Sequence, residues 1–361
     1  MCRITHYAII RTDVRFRPSH GRSQSLCMNS ESNLKQLIDV YCSAQPDSMA
    51  LFLGAGVNLP VEEQAWRYPT YTWTELLRAL YEHHAQRFDQ PFADLLAQHG
   101  GNWPALAETL VGVIGAAELA ATMDAVLYND IPRGDQYGRL SKRLLRQAPS
   151  LHAAICFSAQ IRSRTHSSWT FGRNPRVGMI MTTNYDFFFG AGWTRYQAFK
   201  EHWKVQTPFS TSQINNNQRL IVYLHGYLPY TPGQKRPIVL RQTEYDSFYA
   251  PGGFADQMLA RAISQYHLIF VGLSFTDPPL RELLLNTRDR PQHFAIVKEN
   301  LAGDVERLGV TPVVVKRYAD VARVLQEVYI SVLNSDTCHS FGVNEPIDYW
   351  QQLKIGPRIR S

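Results

Sequence analysis

Met49-Ala-Leu-Phe-Leu-Gly-Ala-Gly56 carries five apolar residues straight into a glycine pair. A run this short, ended by glycine, suits a strand buried on both faces, the kind that fills a parallel sheet. Glycine at its end lets the backbone turn tightly, so that amide groups of Gly54, Ala55 and Gly56 can approach a pyrophosphate. A lone Gly-x-Gly is equally an ordinary strand-to-loop turn, and the third glycine of a dehydrogenase fingerprint does not follow.

Outward from this run, similar apolar stretches recur at 178–181, 220–224, 268–271, 294–297 and 310–315, with helical stretches between several of them. The pattern predicts an α/β fold, a Rossmann-like, mostly parallel sheet with helices on both faces. Leu34, Leu37, Ile38 and residues 40–42 suit a helix ahead of the first strand. An insert of about 71–173 separates the first two strands. Its apolar residues fall at helical spacing: Leu76, Leu77, Leu80 and Tyr81, then Leu106, Leu110 and Val113, then Leu140, Leu144 and Leu145. A helical subdomain is expected there. Residues 1–30, rich in Arg, Ser and His and without a clear period, are expected to form a flexible arm. Residues 31–333 form one domain, and residues 334–361 a short tail.

Three further segments end on strands of this set. Thr182-Thr-Asn-Tyr-Asp186 delivers a small polar cluster to a strand's carboxyl end, where open α/β sheets bind ligands. The amide of Asn184 and the carboxylate of Asp186 can reach one ligand, or can simply build an Asx turn. Leu224-His-Gly226 sets His225 at another strand end, and an imidazole titrating near neutral pH suits proton transfer from water or a hydroxyl. Gly272-Leu-Ser-Phe-Thr-Asp277 precedes Pro278-Pro279 and an amphipathic leucine helix. Ser274 can donate to a phosphate there. Asp277 is either a ligand or the helix N-cap.

The 361 residues are 45% hydrophobic and 19% charged, ordinary for a globular protein, and the formal charge of +6 is scattered rather than gathered into a stripe. Direct nucleic-acid binding is therefore not indicated. Five cysteines, at 2, 27, 42, 156 and 338, contain no close pair, so neither a disulfide framework nor a metal knuckle is legible. No apolar run approaches the roughly 20 residues needed to span a bilayer, and the basic start lacks the apolar core of a signal peptide. The expectation is a cytoplasmic protein with no membrane partner and no metal.

In their order and spacing, the four segments resemble the NAD-binding core of the sirtuin superfamily, over roughly residues 45–320. The residues that carry the resemblance are Gly54, Ala55, Gly56, Thr182, Asn184, Asp186, His225, Gly226, Gly272 and Ser274. The deacylating branch has glutamine where Thr183 stands and threonine where Leu273 stands. It also has an aspartate-phenylalanine-arginine after the first glycines and paired zinc cysteines, all missing here. The forms Thr-Thr-Asn-Tyr-Asp and Gly-x-Ser-Phe-x-Asp are instead similar to the bacterial branch that hydrolyses NAD in antiphage defence.

That resemblance implies NAD as substrate and scission of its nicotinamide–ribose bond, with Asn184 orienting the ribose or the attacking water. His225 would act as base or steer the ribose hydroxyls, and Asp186 would help hold the nicotinamide end. Gly54, Ala55, Gly56, Thr182, Gly272, Ser274 and Asp277 would line the rest of the nucleotide. It further implies a homo-oligomer, or a defence partner such as a DNA-translocase-type ATPase or an Argonaute-type protein, as the control. Two other readings stay open: a deacylase or ADP-ribosyl transferase, and a non-catalytic module that senses NAD or ADP-ribose.

Overall fold

The computed structural model describes residues 22–58, 71–128, 148–159, 161–164, 169–171, 176–190, 203–210, 219–229 and 237–337. Its strands are β1 (Met49–Leu53), β2 (Ile161–Arg164), β3 (Trp169–Phe171), β4 (Val177–Thr182), β5 (Trp203–Gln206), β6 (Arg219–Tyr223), β7 (His267–Val271), β8 (Phe294–Lys298) and β9 (Thr311–Val315). Its α-helices are α1 (Arg22–Ser43), α2 (Trp73–His83), α3 (Phe92–Gln98), α4 (Trp103–Ile114), α5 (Ala116–Tyr128), α6 (Pro149–Ala159), α7 (Gln242–Tyr249), α8 (Phe254–Gln265), α9 (Pro278–Asn286), α10 (Glu299–Arg307) and α11 (Ala319–Thr337).

Seven strands form one sheet in the order β5-β6-β4-β1-β7-β8-β9. Every neighbouring pair is parallel, so the expectation of a mostly parallel sheet is met by one that is entirely so among the described residues. β1 sits in the middle because both its faces are apolar. Met49, Leu51 and Leu53 enter one core with Leu37 and Tyr41 of α1, Ile155 of α6 and Leu325 of α11. Ala50 and Phe52 enter the other, with Met258 and Leu259 of α8 and Leu280 and Leu284 of α9. A strand pointing alternate side chains into two layers is what a doubly covered sheet requires. Truncating a wholly buried Leu51 to Ala would cost about 2–5 kcal/mol by transfer and cavity terms.

The expected helix before β1 is present as α1, which begins at Arg22, inside the stretch expected to be a flexible arm. Residues 1–21 and 338–361 lie outside the described residues. In the insert, α2 to α6 bear out the helical spacing, with Leu76, Leu77, Leu80, Leu106 and Leu110 buried. Val113 turns outward at 40% exposure. Leu140, Leu144 and Leu145 lie outside the described residues. The insert is not wholly helical, since β2 and β3 pair as an antiparallel ribbon. α2 starts cleanly because Thr72 and Glu75 form a capping box, each satisfying the other's backbone amide.

The chain runs from β1 outward to β4, and from β7 outward to β8 and β9 on the other side. β1 and β7 are neighbours whose connections leave in opposite directions. A crevice therefore opens beyond their carboxyl ends, the usual ligand position in this architecture.

Candidate active site

Register brings the four segments to one level. Leu53 stands opposite Thr182 on one side and Val271 on the other, and Thr182 stands opposite Tyr223. The next residues of each strand, Gly54, Thr183, Leu224 and Gly272, leave the sheet together. Gly54, Thr183 and Gly272 open into a cavity of about 490 Å³. Its lining includes a floor of Gly54, Ala55, Gly56 and Gly272, a wall of Asn58, Asn184 and Asp186, and the exposed Ser274 and Thr276. Tyr71, Trp73, Glu75 and Trp103 of the insert and Leu301 and Tyr318 complete it.

Glycine is needed here for a reason different from the one expected. The Gly54 amide donates to Val271 O at 2.9 Å and the Gly56 amide to Gly272 O at 3.0 Å, so both are already taken up. A Cβ on Gly54 would lie 2.5 Å from Gly272 O, and one on Gly272, whose φ is +70°, would lie 2.3 Å from Val57 N. The two strand-end loops lie in direct backbone contact. They present a side-chain-free surface rather than two free amides.

Asn184 is held by its own amide, which donates to Thr182 Oγ1 at 3.1 Å, and by Nδ2, which donates to Gly54 O at 3.3 Å. Thr182 is thus buried behind the cavity wall, supporting Asn184 rather than lining the space. Asp186 accepts from Phe188 N at 2.9 Å and from Asn58 Nδ2 at 3.0 Å. Burial outweighs these bonds and raises its carboxyl to about 6. Asn58 is wholly buried and its Oδ1 has no partner. Sequence reasoning missed Asn58, although it stands two residues after the Gly54-Ala-Gly56 turn.

Tyr128 of α5 ties the insert to this wall. Its hydroxyl donates to Leu228 O at 2.6 Å and accepts from Phe187 N at 2.9 Å.

His225 follows β6 as expected, but its ring turns beneath the wall and is wholly buried, outside the cavity. Trp73, Tyr185, Tyr245 and Tyr249 surround it, with ring centroids 5.7–5.9 Å away. Nε2 bonds to Tyr249 Oη at 2.9 Å, while Nδ1 faces the Thr183 backbone without a bond of ordinary geometry. Burial pushes the imidazole down to about 4, so it is neutral at physiological pH.

Of its two expected roles, Asp277 takes the N-cap. It N-caps α9 by accepting from Leu280 N at 3.3 Å, and it faces Tyr249, whose hydroxyl donates to its Oδ2 at 3.4 Å. Burial raises its carboxyl, and the Leu280, Tyr245 and Tyr249 hydrogen bonds pull it back. Asp277 does not line the cavity. Ser274 does, exposed at the mouth with its hydroxyl 2.8 Å from that of Thr276.

Glu75 and Asp186 are the only charged side chains among the described residues of the cavity wall. The space suits a ligand with a cationic or neutral end against Asp186, and an anionic part at the mouth where hydroxyls gather. Among the described residues no cluster of three His, Cys, Asp or Glu could hold a metal, and no single helix is long and apolar enough to cross a membrane.

A parallel sheet with its cavity at the switch point defines a Rossmann-like α/β protein with its cavity where such folds bind ligands. Residues 178–311 match the family model described as a SIR2-like domain. The match begins in β4, ends in β9 and takes in Asn184, Asp186, His225, Gly272 and Ser274. This part of the chain is sirtuin-like, and its function is NAD-related, since SIR2-like domains use NAD as substrate. No curated protein matches the chain.

Proposed function

We propose that the protein is an NAD glycohydrolase that cleaves the nicotinamide–ribose bond to give nicotinamide and ADP-ribose. The observation that carries this is the convergence of Asn184, Asp186 and the glycine floor on one cavity whose charged wall residues are acidic. The nicotinamide ring of NAD is cationic, and scission passes through an oxocarbenium-like sugar. A carboxylate and an amide carbonyl favour both, and nicotinamide leaves without protonation. Asn184, braced on Gly54 and Thr182, would orient the ribose and the attacking water. His225, neutral at working pH, would take the proton from that water or from a ribose hydroxyl. Ser274 and Thr276 would meet the phosphates. The absence of the deacylase's glutamine and zinc cysteines from the sequence favours water over an acyl-lysine as acceptor.

In this reading the activity serves antiphage defence in the cytoplasm and is held in check by self-assembly or by a separate partner, because unrestrained NAD loss would kill the host. The test is nicotinamide release from NAD by the purified full-length chain, with Asn184→Ala and an acylated peptide as controls. Release without peptide, lost in Asn184→Ala, is expected.

The burial of His225 favours one second reading, a module that binds NAD or ADP-ribose without turnover. Saturable NAD binding with no nicotinamide release under any assembly state would select it.

A further inference from the structure

The residue best suited to proton transfer is the one the cavity does not reach. His225 has no exposed surface, and its Nε2, the atom a sugar hydroxyl or water would need, is bonded to Tyr249 Oη. Tyr249 is anchored in turn on Asp277 Oδ2, at the N-terminus of α9. Tyr245, one helical turn earlier, stacks on Tyr249 at 4.3 Å and doubles the cover.

Both tyrosines ride on α7, a helix of two turns with a break after it. α7 ends at Tyr249 with Ala250 as its C-cap, and the chain then passes through Gly252, with φ +79° and open space where a Cβ would be. Gly253 N-caps α8. On its other side, the Thr243 amide and hydroxyl donate to Glu108 of α4, so the first turn of α7 is tied to the insert. The far end of the helix is fastened too: the Gly252 amide donates to Asp256 Oδ2 at 2.8 Å, the Gly253 amide donates to Ala250 O at 2.7 Å, and a Cβ on Gly253 would lie 2.4 Å from Phe248 O, so Tyr249 is held in place over His225.

We propose that Tyr249 is an autoinhibitory latch on His225: its hydroxyl occupies Nε2, and a substrate hydroxyl or water must displace it to reach that nitrogen. The phenol and a substrate hydroxyl compete for one nitrogen. Only the kinetic half of this inference rests on the hydrolase reading above.

The experiment compares the full chain with Tyr249→Phe, which keeps the ring and removes the hydroxyl. One readout needs no activity: the rate at which diethyl pyrocarbonate carbethoxylates His225, followed by peptide mass spectrometry. Losing one neutral hydrogen bond should speed modification about three- to tenfold. The other readout is kcat/KM for nicotinamide release, expected to rise by a similar factor through a lower KM. An unchanged or slower modification of His225 overturns the latch. So does faster modification with a lowered kcat/KM, which would make Tyr249 a group the reaction needs. Faster modification while neither protein releases nicotinamide upholds the latch and overturns the hydrolase reading.

Discussion

Asn58 Nδ2 donates to Asp186 Oδ2 at 3.0 Å across 128 residues of sequence, joining the loop after β1 to the loop after β4. The bond is one of three, with those from the Phe188 amide and Asp186's own amide, that steady a carboxyl which burial nonetheless raises from 3.8 to about 6. A group whose folded pKa lies above its unfolded value stabilises the fold fully below the unfolded value, and that contribution is lost as pH rises through the folded one. Ionised Asp186 therefore opposes folding at neutral pH. Asp186→Asn should be more stable than the parent by about 1–2 kcal/mol at pH 8, discounted for residual solvent contact, with the difference fading below about pH 4. The idle Oδ1 of Asn58 can accept from the new amide after a flip. Urea melts at the two pH values measure it, and a stabilised variant that loses activity would mark Asp186 as retained for function.

The same carboxyl sets the acid limb of activity in the proposed reaction. Asp186 favours the cationic ring only when ionised, so kcat/KM for nicotinamide release should fall as pH drops through about 6. His225, held near 4, stays neutral across that range and contributes no limb there. Asn58→Ala removes a donor to the carboxylate and should move the limb upward in pH. A limb that stays at the same pH in Asn58→Ala would assign it to another group.

Much of this site was legible in the sequence. β1, β4, β6, β7, β8 and β9 appear as apolar runs because each is buried on both faces, and three of the six, β1, β4 and β7, end on the segments that converge at the cavity. β5, Trp203-Lys-Val-Gln206, escaped because an edge strand with two polar residues in four shows no run. Asn58, Tyr245 and Tyr249 escaped for another reason: their importance lies in what they touch. The tyrosines' i, i+4 spacing marks a helix face, but only the path of the chain from β6 to α7 sets that face over His225. The glycines were legible as glycines, while the reason for them, two loops in backbone contact, is a property of β1 and β7 being neighbours.

That contact makes a stability prediction. Gly272→Ala forces a Cβ to within 2.3 Å of Val57 N at a φ of +70°, and backbone on both sides leaves little to yield. A positive-φ alanine alone costs about 1–2 kcal/mol, and displacement of the loop adds to it. A loss of about 3 kcal/mol or more, or failure to accumulate as soluble protein, is expected. Gly303→Ala, where nothing lies within 4 Å of the added Cβ, should be neutral or slightly stabilising in the same thermal melts.

Tyr128 offers a test of whether the insert supports the cavity wall. Its hydroxyl stands between Leu228 O, just after β6, and Phe187 N, just after Asp186, and the side chain is buried. Tyr128→Phe leaves a carbonyl and an amide without their shared partner in an apolar setting, which should cost about 1–3 kcal/mol. Because the lost bonds hold residues 186–188 rather than the sheet, the effect should be local as well as global. Hydrogen exchange at the Phe187 amide should rise toward that of an unprotected amide, while the amides of β1 and β7 change only as far as global stability does. If the Phe187 amide stays as protected as before, the wall is held by Asn58 and Phe188 alone, and the insert's part is confined to closing the cavity.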